Sequence, residues 1–167
     1  MNEKIIIVDE NDNPIGVKER KLIETKDIYR VSALWIINSK NQILMAQRSF
    51  NKKNNPGKWG PAVAGTVTEG EDYTDNIIKE TQEEIGIDLH KYLFEKIEKI
   101  YIERSRKYFC QWYLFKADIE IEKFTIQENE VEKVTWIDKN IFEDELKLFP
   151  EKYIGSMLKH FEFLKKY

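Results

Sequence analysis

The stretch that decides the fold is Thr74-Asp75-Asn76-Ile77-Ile78-Lys79-Glu80-Thr81-Gln82-Glu83-Glu84-Ile85-Gly86-Ile87. At about 100° per residue, Ile77, Ile78, Thr81 and Ile85 fall within one arc, which predicts a helix with one buried face. Gly86, directly after Ile85, is a natural helix stop. Glu80, Glu83 and Glu84 are spaced i, i+3 and i+4, so they share the neighbouring face. Like charges so placed cost about 0.2–0.5 kcal/mol per pair. A solvated surface tolerates that cost, and a bound hard cation removes it. Oxygen-only ligands suit Mg²⁺ or Mn²⁺, and Mg²⁺ commonly bridges protein carboxylates to substrate phosphates. Lys79, four residues before Glu83, is spaced to pair with it.

Immediately upstream the chain is unusually rich in glycine. Residues 57–86 hold five of the seven glycines, Gly57, Gly60, Gly65, Gly70 and Gly86. Glycine allows close backbone approach and positive φ, so a shaped loop leads into the helix. Farther out, Ile5–Val8 reads as a strand that turns at Asp9–Pro14 into another. Asp9, Asn11 and Asn13 alternate as in a calcium loop. Such a loop needs glycine sixth and glutamate twelfth, where Pro14 and Arg20 stand. The segment is therefore a turn. Residues 31–38 and 43–46 predict a hairpin, 97–103 and 108–121 a second pair, and 134–137 a further strand. Helices are expected at 74–85, from 140 to about 146, and at 151–166, the last with Ile154, Leu158 and Phe161 at helical spacing. Strands and helices mix without βα alternation, which gives an α+β class. With no linker in sight, residues 1–167 are expected to form one domain.

Composition narrows the function. The chain has 167 residues, of which 41% are hydrophobic and 13% aromatic, which excludes a disordered class. A net charge of −3 argues against a protein that coats nucleic acid. An anionic substrate then needs local basic residues or a metal to offset repulsion. Cys110 is the sole cysteine, which excludes an intramolecular disulfide and a zinc site built on cysteines. The apolar run Ile5–Val8 is too short for a signal-peptide core or a membrane span. The expectation is a soluble, cytoplasmic protein with no membrane or nucleic-acid polymer among its partners; a homodimer is compatible with the chain.

From Gly65 the order is glycine, five residues, Glu71, seven residues, Lys79-Glu80, two residues, Glu83-Glu84, one residue, Gly86 and Ile87. This resembles the Nudix box of the Nudix hydrolases, with Lys79 in place of the usual arginine. Lysine keeps the charge but lacks the planar fork. The resemblance implies an α/β/α sandwich with a mixed β-sheet and the active site at the box loop and helix. It implies Glu80, Glu83 and Glu84 as ligands of Mg²⁺ or Mn²⁺, joined by the main-chain carbonyl of Ala64 or Gly65. It also implies that Glu71 ties the loop to the helix. Val8-Asp9-Glu10, Pro14-Ile15-Gly16, Gln47-Arg48-Ser49, Lys52 and Pro56-Gly57-Lys58-Trp59 resemble isopentenyl-diphosphate isomerases and the hydrolases related to them. That similarity implies Arg20, Arg48 and Lys52 as contacts for a substrate diphosphate.

Isomerase chemistry needs a cysteine just before Gly65, where this chain has Ala64, and histidines in the N-terminal half. His90 and His160 both lie beyond the box, and Cys110 reads as a small buried hydrophobe. What the resemblance leaves is metal-dependent hydrolysis of a diphosphate bond in a nucleoside diphosphate linked to another group. A cation there neutralises diphosphate oxygens and acidifies a bound water. A carboxylate must take the water's proton. Glu83 can do so, or a glutamate outside the box, among Glu128, Glu130 and Glu132, with Glu130 the chosen candidate. Trp59, Tyr108, Trp112 and Tyr113 are either stacking platforms for a base or core. The alternative reading is a catalytically silent domain that senses a nucleotide or binds a protein.

Overall fold

The computed structural model describes residues 3–167, so residues 1 and 2 of the expected 1–167 span lie outside it. Its spine is β3, Ile28–Ile37. Nearly every residue of β3 is apolar, as expected for a strand covered on both faces. Successive side chains alternate: Leu34 and Ile36 enter one core, Ala33 and Trp35 the other. On one edge, β8 (Lys107–Lys116) runs parallel to β3 along its whole length, and β7 (Phe94–Glu103) pairs antiparallel outside β8. On its other edge β3 meets three partners in succession. These are β1 (Lys4–Val8), β6 (Val63–Thr66) and β4 (Gln42–Arg48). β2 (Pro14–Glu19) flanks β1, while β5 (Trp59–Pro61) and β9 (Val131–Asp138) flank β4.

Helix α1 (Tyr73–Ile85) covers one face of this mixed sheet, burying Tyr73, Ile77 and Ile85 against Leu34, Val63 and Tyr113. Helices α2 (Lys139–Leu148) and α3 (Met157–Leu164) cover the other, where Phe142, Leu146, Met157 and Phe161 surround Trp35 and Trp112. The result is the expected α/β/α sandwich. Both ends of α1 are fixed by sequence. Asp72 accepts from the Thr74 and Asp75 N–H groups, and Asp75 answers to the Asp72 N–H, while Gly86 closes the helix at φ 73°. The turn at Asp9 is also as expected: its carboxylate accepts from the Asn11 and Asn13 N–H groups.

Several local expectations change. β3 and β4 share only the pair Ile37 and Ile43, because β6 occupies the edge of β3 from Val31 to Leu34. The two strands of the expected hairpin splay apart into different parts of the sheet. The glycine loop contains β5 and β6, short strands that periodicity does not reveal. β8 stops at Lys116, and the chain beyond it leaves the sheet so that the Ile119 carbonyl accepts from Trp136 Nε1. The C-terminal helix is broken. Residues 150–152 form one 3₁₀ turn, the Ile154 N–H donates to the Trp59 carbonyl, and α3 begins only at Met157. Leu158 is exposed, and the buried face is instead Met157, His160, Phe161 and Leu164.

Candidate active site

The site is built where β6 passes into α1. Glu71, in the connecting loop, has one carboxylate oxygen at 2.6 Å from Lys79 Nζ. The other accepts from the Thr68 N–H at 3.1 Å and from Asn76 Nδ2 at 3.0 Å. Burial works against its charge, but these donors outweigh it and hold the carboxyl below its ordinary range. Glu71 thus ties loop to helix, as the resemblance implied. Lys79 faces this loop, and its second neighbour is Glu80 at 3.8 Å. The pairing of Lys79 with Glu83 expected from spacing is therefore corrected. The half-buried Glu71 carboxylate, bonded to neutral amides on its other oxygen, attracts the ammonium more strongly than the solvated Glu83.

Glu80 lies directly on Gly65. A Cβ at Gly65 would stand 2.3 Å from Glu80 Cγ, so no larger residue fits beneath that side chain. Glu84, one turn on, receives a long hydrogen bond of 3.4 Å from the Ala64 N–H. An extended residue carries its N–H and C=O on the same edge, so the Ala64 carbonyl also faces away from β3. Glu84 is half-buried. Burial first, then the Glu80 charge, push that carboxyl up to about 8, and the Ala64 N–H offsets only part. Glu80 is also raised, by burial and by Glu83, with Lys79 opposing. Glu83 itself is exposed.

Glu84 forms one wall of a small cleft of about 50 Å³, shared with Ala46, Arg48, Ala64, Glu130 and Val131. That volume holds a few waters or a hydrated ion, not a whole substrate. Across the cleft, Lys52 forms an ion pair with Glu130, and the Ser49 N–H donates to the Glu130 carbonyl at 2.9 Å. Arg48 Nε donates to the Asn54 carbonyl. The Gln127 N–H donates to the Glu84 carbonyl, which anchors the Glu130 loop to the end of α1.

The structure therefore brings Arg48, Ala64, Glu84 and Glu130 to one cleft, with Lys52 paired to Glu130 at its rim and Glu80 one turn before Glu84. It does not bring Arg20 there. Arg20 bonds Glu3 at 2.6 Å and Thr66 Oγ1 at 2.8 Å, just past Gly65 at the end of β6. Glu128 and Glu132 are exposed. Trp112 and Tyr113 are core residues, so neither is a platform for a base. Tyr108 stacks on Tyr29, and Trp59 lies half-buried beneath Lys133. Cys110 is buried in β8, and burial pushes its thiol far above the ordinary range.

Two groups of residues escaped the sequence reading. Ser32 and Asn76 are both fully buried beside Glu80. The available signal was spacing, since Asn76 lies four residues before Glu80 and next to Ile77 on the buried arc. Asp12, in the β1–β2 turn, accepts from Arg30, Lys99 and Tyr73 and pins that turn to α1. No local pattern points to it, because its partners come from three distant elements.

Does a hard cation fit? Among the described residues, no three Asp, Glu, His or Cys side chains converge as a ready cage. Glu80 and Glu84 are nonetheless two coupled carboxylates packed on a glycine strand. They supply oxygen only, and Glu84 has no lysine or arginine within salt-bridge distance among the described residues. In donor type and charge this pair fits Mg²⁺ or Mn²⁺.

Among the described residues no helix is long and apolar enough to cross a membrane. An isopentenyl-diphosphate Delta-isomerase of Citrobacter koseri is 33% identical over 89 residues, which cover 52% of this chain and 49% of that protein. The match thus spans about half the length of this curated relative. A solved structure, DR0079 from Deinococcus radiodurans, superposes with a TM-score of 0.78 at 19% identity, covering 88% of this chain and 90% of that one. A MutT protein from Methanosarcina mazei gives a TM-score of 0.63 at 19% identity, over 84% and 96% of the two chains. These likenesses agree with the sandwich and the loop and helix described above. Residues 27–155 match the NUDIX domain model, and with well over half its length matched the chain belongs to the Nudix family.

Proposed function

We propose that this protein hydrolyses a diphosphate bond in a nucleoside diphosphate linked to another group, with Mg²⁺ or Mn²⁺ as cofactor. The observation that carries the reading is the Glu80 and Glu84 pair on one turn of α1, Glu80 packed on Gly65 and Glu84 bonded to the Ala64 N–H, with Glu84 sharing a cleft with Arg48 and Glu130. Glu80 and Glu84, with Glu83 and the Ala64 carbonyl, would hold the cation, which would supply charge neutralisation for the diphosphate and Lewis acidity toward water. Arg48 and Lys52 bind the diphosphate and supply the positive charge that the whole chain lacks. Glu130 accepts the proton of the attacking water, and Glu83 is the other candidate for that role. In the free protein Lys52 occupies Glu130. A bound diphosphate competes for that ammonium and leaves the carboxylate free to act as a base. Arg20, bonded to Thr66, serves the Glu80 side of the diphosphate.

The N-terminal half supports placement in the branch that resembles isopentenyl-diphosphate isomerases. Hydrolysis is favoured over isomerisation because Ala64 stands where that chemistry needs a thiol, and Cys110 is sealed in the core. The reading treats the chain as one domain acting on a small molecule in the cytoplasm.

The test is a panel of nucleotide-linked diphosphates, with isopentenyl diphosphate included, assayed with Mg²⁺ and with chelator. The expected result is hydrolysis of at least one nucleotide-linked compound that chelator abolishes and Glu84→Gln lowers by several orders of magnitude. No turnover of any member, with no Mg²⁺ or Mn²⁺ binding by calorimetry, would refute it.

A further inference from the structure

Asn76 is a polar side chain on α1 beside the apolar arc, on its Glu80 side, with 0% exposure. A buried amide is costly unless its donors and acceptor are used. Here all are used. The Thr66 carbonyl and the Glu71 carboxylate can only accept, so they face its Nδ2, and its Oδ1 accepts from Ser32 Oγ at 2.5 Å. Its Nδ2 is then turned toward three acceptors: the Thr66 carbonyl at 3.2 Å, Glu71 at 3.0 Å and Glu80 at 3.3 Å. The partners come from β3, β6, the loop and α1 itself. Glu80 has no shorter hydrogen bond among the described residues; its contact with Lys79 is longer, at 3.8 Å.

We propose that Asn76, anchored at its Oδ1 by Ser32, is a positioning residue that aims the Glu80 carboxylate and couples it to the Glu71–Lys79 clamp. Chemistry supports an asparagine in this role. An aspartate would place a third carboxylate between Glu71 and Glu80, and an aliphatic residue would donate to neither. The amide shares its two hydrogens among the Thr66 carbonyl, Glu71 and Glu80 and adds no charge. The acceptor-only Thr66 carbonyl and Glu71 decide which end of the amide faces Glu80, and Ser32 holds the other end in place. Glu80 is thus held from two sides, by Gly65 beneath it and by Asn76 one turn before it.

The inference rests on the reading of Glu80 as a metal ligand, and the test separates the two. Mn²⁺ affinity is measured by calorimetry on the full chain for wild type, Asn76→Ala, Ser32→Ala and Cys110→Ser. Partners that orient a metal ligand are worth about ten- to a hundredfold in affinity. Asn76→Ala should therefore weaken Mn²⁺ binding by that factor, and Ser32→Ala by about fivefold, the worth of one hydrogen bond. Cys110→Ser lies in the opposite core and controls for general destabilisation; it should bind Mn²⁺ as wild type does. Wild-type binding unchanged within twofold in a folded Asn76→Ala overturns the inference and leaves the proposed function standing. Absence of Mn²⁺ binding by wild type overturns both. Should Asn76→Ala not fold, Ser32→Ala decides: unchanged affinity refutes the positioning role, and a drop of about fivefold upholds it.

Discussion

Replacing Gly65 with alanine separates the site from the fold. The new methyl carbon would stand 2.3 Å from Glu80 Cγ, 2.5 Å from its carboxyl carbon and 2.7 Å from one oxygen. Carbon–carbon contact needs about 3.5–4.0 Å, so one partner must retreat by more than about 1 Å. Gly65 is not among the positive-φ glycines, so the backbone of β6 accepts alanine. What gives way is the Glu80 side chain, which is flexible, rather than the strand. The stability cost is therefore small, on the order of 1 kcal/mol. The functional cost is large, because a misplacement of about 1 Å at a reacting centre costs about a hundredfold in rate. Thermal unfolding and turnover of whichever diphosphate the panel identifies are the two assays. Gly86→Ala is the contrasting variant. Gly86 sits at φ 73° with Thr125 Cβ 2.9 Å from the position of an added Cβ and Thr125 backbone atoms just beyond. That change should cost about 1–3 kcal/mol of stability, through strain at a left-handed position. If Gly65→Ala kept wild-type turnover within fivefold, or lost more stability than Gly86→Ala, the packing argument for Glu80 would be wrong.

Other outcomes follow from the same geometry. Burial and the Lys159 and Arg104 charges hold His160 down to about 3 in the folded state, where its Nδ1 accepts from Trp112 Nε1. The unfolded chain binds its proton near the ordinary 6.5, so stability is complete above that pH and is lost as pH falls toward 3. By pH 5 the loss is about 2 kcal/mol, and chemical denaturation of His160→Gln should show a flatter acid limb. Arg48→Ala should raise KM more than it lowers kcat, because the role proposed for Arg48 is to bind the diphosphate in ground and transition states alike. A selective fall in kcat, measured at saturating Mg²⁺, would count against that role. Cys110→Ser should lose about 1–3 kcal/mol by burying an unpartnered hydroxyl and keep its turnover; a loss above about a hundredfold in a folded variant would reopen a thiol mechanism.

The sequence alone determined the parts of this protein that depend on near neighbours. The period of Ile77, Thr81 and Ile85 and the Gly86 stop specify α1 to within one residue of where it lies. The same spacing puts Glu80 and Glu84 on one turn, and the fixed interval from Gly65 to Gly86 identifies the family before any coordinates. Tertiary structure decided which long side chain meets which partner. Lys79 is placed by helical spacing to reach Glu83, yet it bonds Glu71 because the loop folds back over the first turns of α1. Arg20, Arg48 and Lys52 look alike as basic residues ahead of the box. Only the pairing of β4 with β9 carries Arg48 and Lys52 to Glu130, 78 residues beyond Lys52, while Arg20 follows β2 to Thr66. The break before α3 is likewise unreadable from periodicity, because it exists to let Ile154 bond the Trp59 carbonyl on another strand. Desolvation is the last such quantity. Glu84 is one carboxylate among three in the sequence, and it becomes the one most strongly deprived of water only when β6 and the Glu130 loop close around it.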